Sequence, residues 1–276
     1  MVTQGDKARA FRTLHEGPGA FIIPNPWDAG TARILTTLGF SALATTSAGF
    51  AFSLGRRDGQ GLVTREEVLG HIRAIVEASD LPVSGDLENG FSDDPKVVAE
   101  TIRLAADAGL VGGSIEDATG NERHPIYAHA YAVERISEAV AAARALPFPF
   151  TLTARAENFL HGVNDLNDTI RRLQAFAAAG ADVVYAPGLR TLDEIKTVCA
   201  AVGPTPVNVL AGAIGLTAAD LAGAGVRRIS VGSGLSRAAL SGFLAAASEM
   251  KETGTFSFTR TGVTFAEINN FMRGAA

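Results

Sequence analysis

The chain has 276 residues, 47% of them hydrophobic and 19% charged, with a formal net charge of −5. That suits one large globular domain with a sizeable core, and the mild negative balance argues against nucleic acid and against an anionic membrane surface as partners. The single cysteine, Cys199, excludes an intrachain disulfide and a cysteine-rich zinc site. No apolar run is long enough to span a bilayer, and the polar first segment, Met1 to Arg12, lacks a signal-peptide core, so a cytoplasmic location is expected.

In chain order, eight short apolar runs predict strands at 20–24, 41–46, 82–86, 112–116, 150–155, 182–186, 206–210 and 228–231. They read as continuous rather than alternating apolar segments, as parallel strands covered on both faces do. Helix patterns lie between them. Over 65–78, Val68, Ile72, Ile75 and Val76 recur at helical spacing behind a Thr64/Glu67 capping box, and Thr191/Glu194 repeat that start signal. Asp94-Pro95 marks another helix start, with proline in the first turn. Gly39, Gly109, Gly180 and Gly225 each sit where a helix should end in a left-handed cap before the next strand.

Strict βα alternation with eight strands predicts a (β/α)8 TIM-type barrel. A doubly wound open sheet is the alternative; the count of eight and the lack of a Gly-rich fingerprint after the first strand favour the barrel. Residues 1–276 read as a single domain with a C-terminal tail from about 253, in which 261–272 predicts a short amphipathic helix able to pack on a neighbouring subunit.

Acidic residues gather at predicted strand ends. Asp86 and Glu88, two apart at the end of the third strand and flanked by Gly85 and Gly90, are expected to point the same way. Glu116 ends the fourth strand. Carboxylates converging on one barrel mouth repel unless a cation sits between them, and these three form a hard oxygen set suited to Mg²⁺ or Mn²⁺. Arg155, ending the fifth strand, can hold a substrate carboxylate or a developing oxyanion, or pair with Glu116 or Glu157. Thr46, Ser47 and Ala48, in the small-residue run after the second strand, can offer backbone N–H groups to an anion. Asp58 lies on the next loop. His124, on the long connection after the fourth strand, is a candidate acid or base on a lid. His71 reads as structural, His15 as a surface residue and Cys199 as core. Gly232-Ser233-Gly234 stands where many barrels hold phosphate.

The stretch Pro24-Asn25-Pro26-Trp27-Asp28-Ala29-Gly30-Thr31-Ala32-Arg33, the Thr46-Ser47-Ala48-Gly49 run, Asp86-Leu87-Glu88-Asn89-Gly90, Ser114-Ile115-Glu116-Asp117 and Ala154-Arg155-Ala156-Glu157 occur in order. Together they resemble motifs of the isocitrate lyase/phosphoenolpyruvate mutase superfamily, in its short-chain branch. The resemblance implies a (β/α)8 barrel with the eighth helix exchanged between subunits of a homodimer or homotetramer. It implies Mg²⁺ held directly by Asp86 and through water by Glu88, Glu116 and Asp58. It also implies a 2-oxo acid bound at Thr46, Ser47 and Ala48 near Trp27, with Arg155 at the oxyanion. The lyase lid motif with its catalytic cysteine is absent: the lid reads Asp117-Ala118-Thr119-Gly120-Asn121-Glu122-Arg123-His124-Pro125, leaving Asn121 or His124 to stand in. Glu88 and Glu157 replace aspartates, and no glutamate follows Tyr185. The expected activity is Mg²⁺-dependent cleavage of a C–C bond of a 2-oxo (dicarboxylic) acid through a pyruvate-like enolate, under a lid spanning about 119–131. Phosphonopyruvate hydrolase or mutase chemistry and a non-catalytic 2-oxo acid binding protein are the alternatives.

Overall fold

In the computed structural model, which describes residues 2–212 and 215–273, eight parallel strands alternate with helices around a barrel. The strands are β1 (Phe21–Ile23), β2 (Leu43–Ala44), β3 (Val83–Asp86), β4 (Gly112–Glu116), β5 (Thr151–Arg155), β6 (Val183–Tyr185), β7 (Val207–Leu210) and β8 (Arg228–Ser230). Each falls within its predicted run. Parallel ladders join β2 through β8 in sequence and return from β8 to β1. The remaining seam, between β1 and β2, is closed by two contacts: the Ala44 amide donates to Pro24 O (3.1 Å), and Asn25 Nδ2 donates to Thr45 O (3.0 Å).

The helices are α1 (Gln4–Glu16), α2 (Ala29–Thr37), α3 (Ser47–Ser53), α4 (Arg65–Glu77), α5 (Pro95–Asp107), α6 (His129–Arg144), α7 (Leu166–Ala178), α8 (Leu192–Ala201), α9 (Ala218–Gly223), α10 (Gly234–Thr253) and α11 (Phe265–Met272). Their starts follow the side-chain chemistry. Thr64, Thr191 and Thr264 each close a reciprocal capping box with the glutamate three residues on, and Asp94 caps α5 ahead of Pro95. The helix-ending glycines at 39, 109, 180 and 225 have φ between 85° and 101°, the left-handed turn that lets the chain fold back into the next strand.

The hydrophobic core is a ring between strands and helices, where Ile72, Ile102, Ile136, Leu173, Phe176 and Ile195 meet Leu43, Val83, Ile115, Leu152, Val184 and Ile229. Inside the barrel the character differs from the continuous apolar reading. Buried Arg228 donates to Asn208 Oδ1 and Thr153 Oγ1 (both 2.9 Å), and Asn208 donates to Ser230 Oγ (3.0 Å). Apart from β1, whose Ile22 is exposed, the strands are largely buried on both faces, but one face is polar and leads up to the charged strand ends.

Helix α1 closes the N-terminal end of the barrel with Phe11 and His15. The expectation that His15 lies on the surface is therefore corrected. Its ring meets Phe11 and Phe21 edge-on, Nδ1 lies 2.8 Å from Phe11 O, and burial and the neighbouring Arg228 push its pKa down to about 3. His71 is structural as expected: it stacks on Phe50, and its Nε2 lies 2.8 Å from Trp27 O. Cys199 is half-buried against the core, its thiol pushed up to about 11 by burial.

The eighth barrel helix, α10, is unlike the others. Of its side chains only Ser236 is buried, Phe243 and Leu244 are 67% and 62% exposed, and Ile22 on β1 is 40% exposed. The tail helix α11 starts later than its predicted span and packs on α2 of its own chain, where Arg33 Nη1 donates to Met272 O (3.1 Å). Among the described residues no helix is long and apolar enough to cross a membrane.

Candidate active site

The C-terminal ends of β2 to β5 surround a cleft of about 980 Å³ lined by Ser47, Asp58, Glu88, Glu116, Arg155 and Glu157, among others. Asp86, the last residue of β3, lies behind this lining and bonds to two of its members, Ser47 and Arg155. Parallel pairing sets this layer: Asp86 is registered with Ser114, Glu116 with Arg155, and Arg155 with Tyr185. A cleft of equal volume lies at the opposite end, but its Arg144 and Asp182 pair with each other and no acidic cluster forms there.

Arg155 organises the acidic layer. Its guanidinium reaches Asp86 Oδ1 (3.0 Å), Glu116 Oε2 (3.0 Å) and Glu157 Oε1 (2.8 Å), and its Cζ lies 5.3 Å from the centre of the Tyr185 ring. The ion-pair reading of Arg155 holds, with Glu116 and Glu157 both paired to it. The second Asp86 oxygen accepts from the Ser47 amide (3.1 Å), and the Asp86 amide donates to Thr45 Oγ1 (2.8 Å). These bonds fix the Asp86 carboxylate relative to the Thr46–Ser47–Ala48 turn. Thr46 caps α3 by accepting from the Gly49 amide (3.3 Å). A Cβ at Gly49 would come within 2.7 Å of Thr46 and 3.0 Å of Trp27, so only glycine fits between them. The Trp27 side chain accordingly lines an apolar groove behind α3, with Phe52, Leu240 and Phe243, and supports the turn from outside the cleft.

Glu88 corrects the simple strand picture. The strand ends at Asp86, and Glu88 is in a loop with left-handed backbone (φ 48°). It still faces the cleft, because its carbonyl accepts from the Glu116 amide (2.9 Å) and anchors the loop to the end of β4.

Five carboxylates (Asp58, Asp86, Glu88, Glu116 and Glu157) therefore gather around one guanidinium, which pairs with three of them. The electrostatics register the imbalance. Burial, then Asp86 and Asp58, push Glu88 up to about 7. Burial raises Glu116 well above the carboxylate range, with Glu157, Asp86 and Glu88 adding to the rise against Arg155. Burial and Asp86 also raise Asp58. Burial works against the Arg155 charge, but Glu157, Glu116 and Asp86 overcome it and raise its pKa. Among the described residues Asp58 and Glu88 have no ion-pair partner. A dication would relieve this repulsion. No three acidic, histidine or cysteine side chains of the described residues converge as a complete ligand cage. An ion such as Mg²⁺, which keeps several waters and takes one or two carboxylates, does not need one. The donor set fits such an ion.

The segment expected to act as a lid is held more closely than its 119–131 span suggested. Ala118 bridges Ile126 in an antiparallel pair, and the Thr119 amide donates to Pro125 O, so the free tip spans only 119–125. Tyr127 is its buried foot. Asn121 and His124 are exposed on the tip and line a small hollow with Asp93 and Tyr127, so the structure does not bring them into the acidic cleft. Within the tip, the Asn121 side chain accepts from the Arg123 amide and its carbonyl from the His124 amide.

Sequence reading missed the groups that hold these parts in place. Buried Asp117 accepts from the Glu157 amide (2.8 Å) and from Arg172 (2.9 Å), which also donates to Tyr127 O. Burial pushes Asp117 up to about 6 against these donors. Tyr185 escaped notice although its place at the end of β6, level with Arg155, follows from barrel register.

The family model described as phosphoenolpyruvate phosphomutase matches residues 11–251. A structure described as a lyase/mutase from Burkholderia cenocepacia J2315 is 61% identical, covers 97% of this chain and 96% of its own, and superposes with a TM-score of 0.94. The oxaloacetate decarboxylase of Bradyrhizobium diazoefficiens is 32% identical over 69% of this chain and 66% of its own length. A phosphonopyruvate hydrolase, solved with oxalate and Mg²⁺, shares the fold (TM-score 0.87, 22% identity, 97% and 95% of the two chains). With the barrel, the ordered motifs and the family match in agreement, the chain belongs to the isocitrate lyase/phosphoenolpyruvate mutase superfamily.

Proposed function

We propose that the protein is a Mg²⁺-dependent lyase that cleaves a C–C bond of a 2-oxo acid and leaves a pyruvate-like enolate. The observation that carries this reading is the cluster of five carboxylates at the cleft, of which Arg155 pairs with only three and leaves Asp58 and Glu88 without a cation. Asp86 would hold the metal directly, with Asp58, Glu88 and Glu116 holding its waters. Bound there, the ion supplies a Lewis acid for the carboxylate and keto oxygens of the substrate.

The remaining chemistry falls to the chain itself. Thr46, Ser47 and Ala48 receive the carboxylate end at the start of α3, in a turn braced by Trp27. Arg155, held charged by three acids and aligned by Tyr185, meets the oxygen on which negative charge accumulates as the C–C bond breaks; such preorganised donors make up a large part of catalysis. The 119–125 tip closes over the cleft to exclude water, turning about the fixed points Asp117 and Tyr127. Cells use the enzyme as a homo-oligomer in the cytoplasm, with the apolar face of α10 seated on a second copy.

The test is a screen of oxaloacetate and related 2-oxo acids with and without Mg²⁺, with products identified by NMR and Asp86→Ala as control. Metal-dependent release of a pyruvate-type or oxalate-type product, lost in the variant, is expected. Phosphate release from phosphonopyruvate would transfer the site to P–C chemistry. Binding of 2-oxo acids without any product would make the protein a binder.

A further inference from the structure

The loop after β3 is held in an unusual shape. Glu88 (φ 48°) and Phe91 (φ 63°) are the two non-glycine residues with positive φ among those described, and they stand three apart in one loop. Side chains other than glycine rarely adopt this conformation, and it persists only where surroundings over-determine it. The surroundings here centre on Arg135, in the second turn of α6.

Arg135 is buried to 1% exposure, yet it forms no ion pair with any described carboxylate. Its guanidinium donates instead to three backbone carbonyls of the loop: Ser92 O (2.7 Å), Asp93 O and Asn89 O. The same group stacks over the Tyr127 ring, 4.2 Å from its centre. Tyr127 in turn donates its hydroxyl to Asp93 Oδ1, closing a circuit from α6 through the lid foot back to the loop. A buried cation whose Nη donors all go to neutral carbonyl oxygens, and whose Nε has no partner, is costly, and the fold has placed it where the chain must be bent.

We propose that Arg135 is a positioning residue for the acidic cleft: its planar fork grips the 89–93 segment, holds Glu88 in its left-handed backbone, and ties that loop to the foot of the lid. The part of this inference that concerns metal affinity rests on the function proposed above; the clamp itself does not.

The experiment uses the full chain with Arg135→Met, Arg135→Lys and Tyr127→Phe. Hydrogen exchange is read without metal, and Mn²⁺ affinity by electron paramagnetic resonance. In Arg135→Met, amides of 87–93 should exchange at least about tenfold faster while those of β4 and β5 keep their protection, a local loosening that a general loss of stability would not produce. Mn²⁺ affinity should fall about 10- to 100-fold, the usual cost of removing a group that orients a metal's ligands. Arg135→Lys, charged but unable to fork, should give intermediate values, and it decides the matter if Arg135→Met does not fold. Tyr127→Phe should loosen the same loop to a smaller degree; wild-type exchange there would overturn the link to the lid. Wild-type exchange in a folded Arg135 variant would overturn the clamp. Should the wild-type protein bind no Mn²⁺, the proposed function fails, and exchange alone still judges Arg135.

Discussion

Removing the guanidinium at the centre of the cleft, as in Arg155→Met, leaves the side chain near its original length and deletes only its charge and donors. Three ion pairs of 2.8–3.0 Å disappear together, from a side chain only 13% exposed. Taking one partner from a buried pair costs about 3–5 kcal/mol. In a domain of this size that lowers the melting temperature by roughly 6–20 °C. The pH dependence distinguishes this cause from lost packing. Without Arg155, which holds it down against burial, Glu116 should rise further in pKa, so the folded state binds a proton that the unfolded chain takes up only near pH 4–4.5. Stability of the metal-free variant must then increase as pH falls from 8 toward 5. Wild type gains in the same direction, since Glu88 already stands at about 7 and Glu116 is raised. The gain in the variant must be larger, closing the gap between the two. Added Mg²⁺ should close it as well, and kcat on the substrate found by the screen should fall about 10²–10³-fold with the loss of the oxyanion donor. Differential scanning fluorimetry at several pH values with EDTA or Mg²⁺ reads the first two. A variant that melts with wild type at pH 8, or whose deficit widens toward pH 5, would refute the view that Arg155 balances crowded carboxylates.

The other predictions address different parts of the molecule. His15 stays neutral in the fold down to about pH 3, whereas the unfolded chain takes up its proton near 6.5. Its contribution to stability is therefore whole above about pH 6.5 and declines as pH falls toward 3, by up to about 1.4 kcal/mol per pH unit; His15→Gln should lack that part of the acid slope in chemical denaturation. On α10, Phe243→Glu with Leu244→Glu should convert the oligomer to a smaller species by light scattering, and a monomeric wild type would remove the seating proposed for this helix. At the lid tip, His124→Ala or Asn121→Ala should reduce kcat about 10²-fold with Mn²⁺ affinity unchanged, as expected of a proton-transfer group brought in by closure. An unchanged kcat would leave the tip no chemical role.

What could be read from the sequence, and what could not, follows the distance over which each feature is determined. Helix starts at Thr64, Asp94 and Thr191 and left-handed ends such as Gly109 depend on residues within one turn, and all fall as expected. Eight strands were legible because apolar runs of the right length recur between those signals. The acidic strand ends were legible too, since barrel topology sends them all to one mouth. His15 was misread because the helix pattern around it does not reveal that α1 lies across the barrel floor. The placement of Glu88 depends on a left-handed turn at a residue that is not glycine, stabilised from α6 by Arg135 at a separation of 46 residues from Asn89. The division of Arg155 among three acids likewise depends on Asp86, 69 residues away.

These long-range groups share a physical trait. Arg135, Arg155, Arg172 and Arg228 are guanidiniums buried, or nearly so, within the barrel or against its C-terminal loops, and each binds oxygens remote from it in sequence. A planar fork of five donors suits that task better than a flexible ammonium. In a linear sequence each is one more arginine on a helix or strand. In the fold they set the geometry in which carboxylates can be crowded at one end of the barrel, a crowding that a bound cation would relieve.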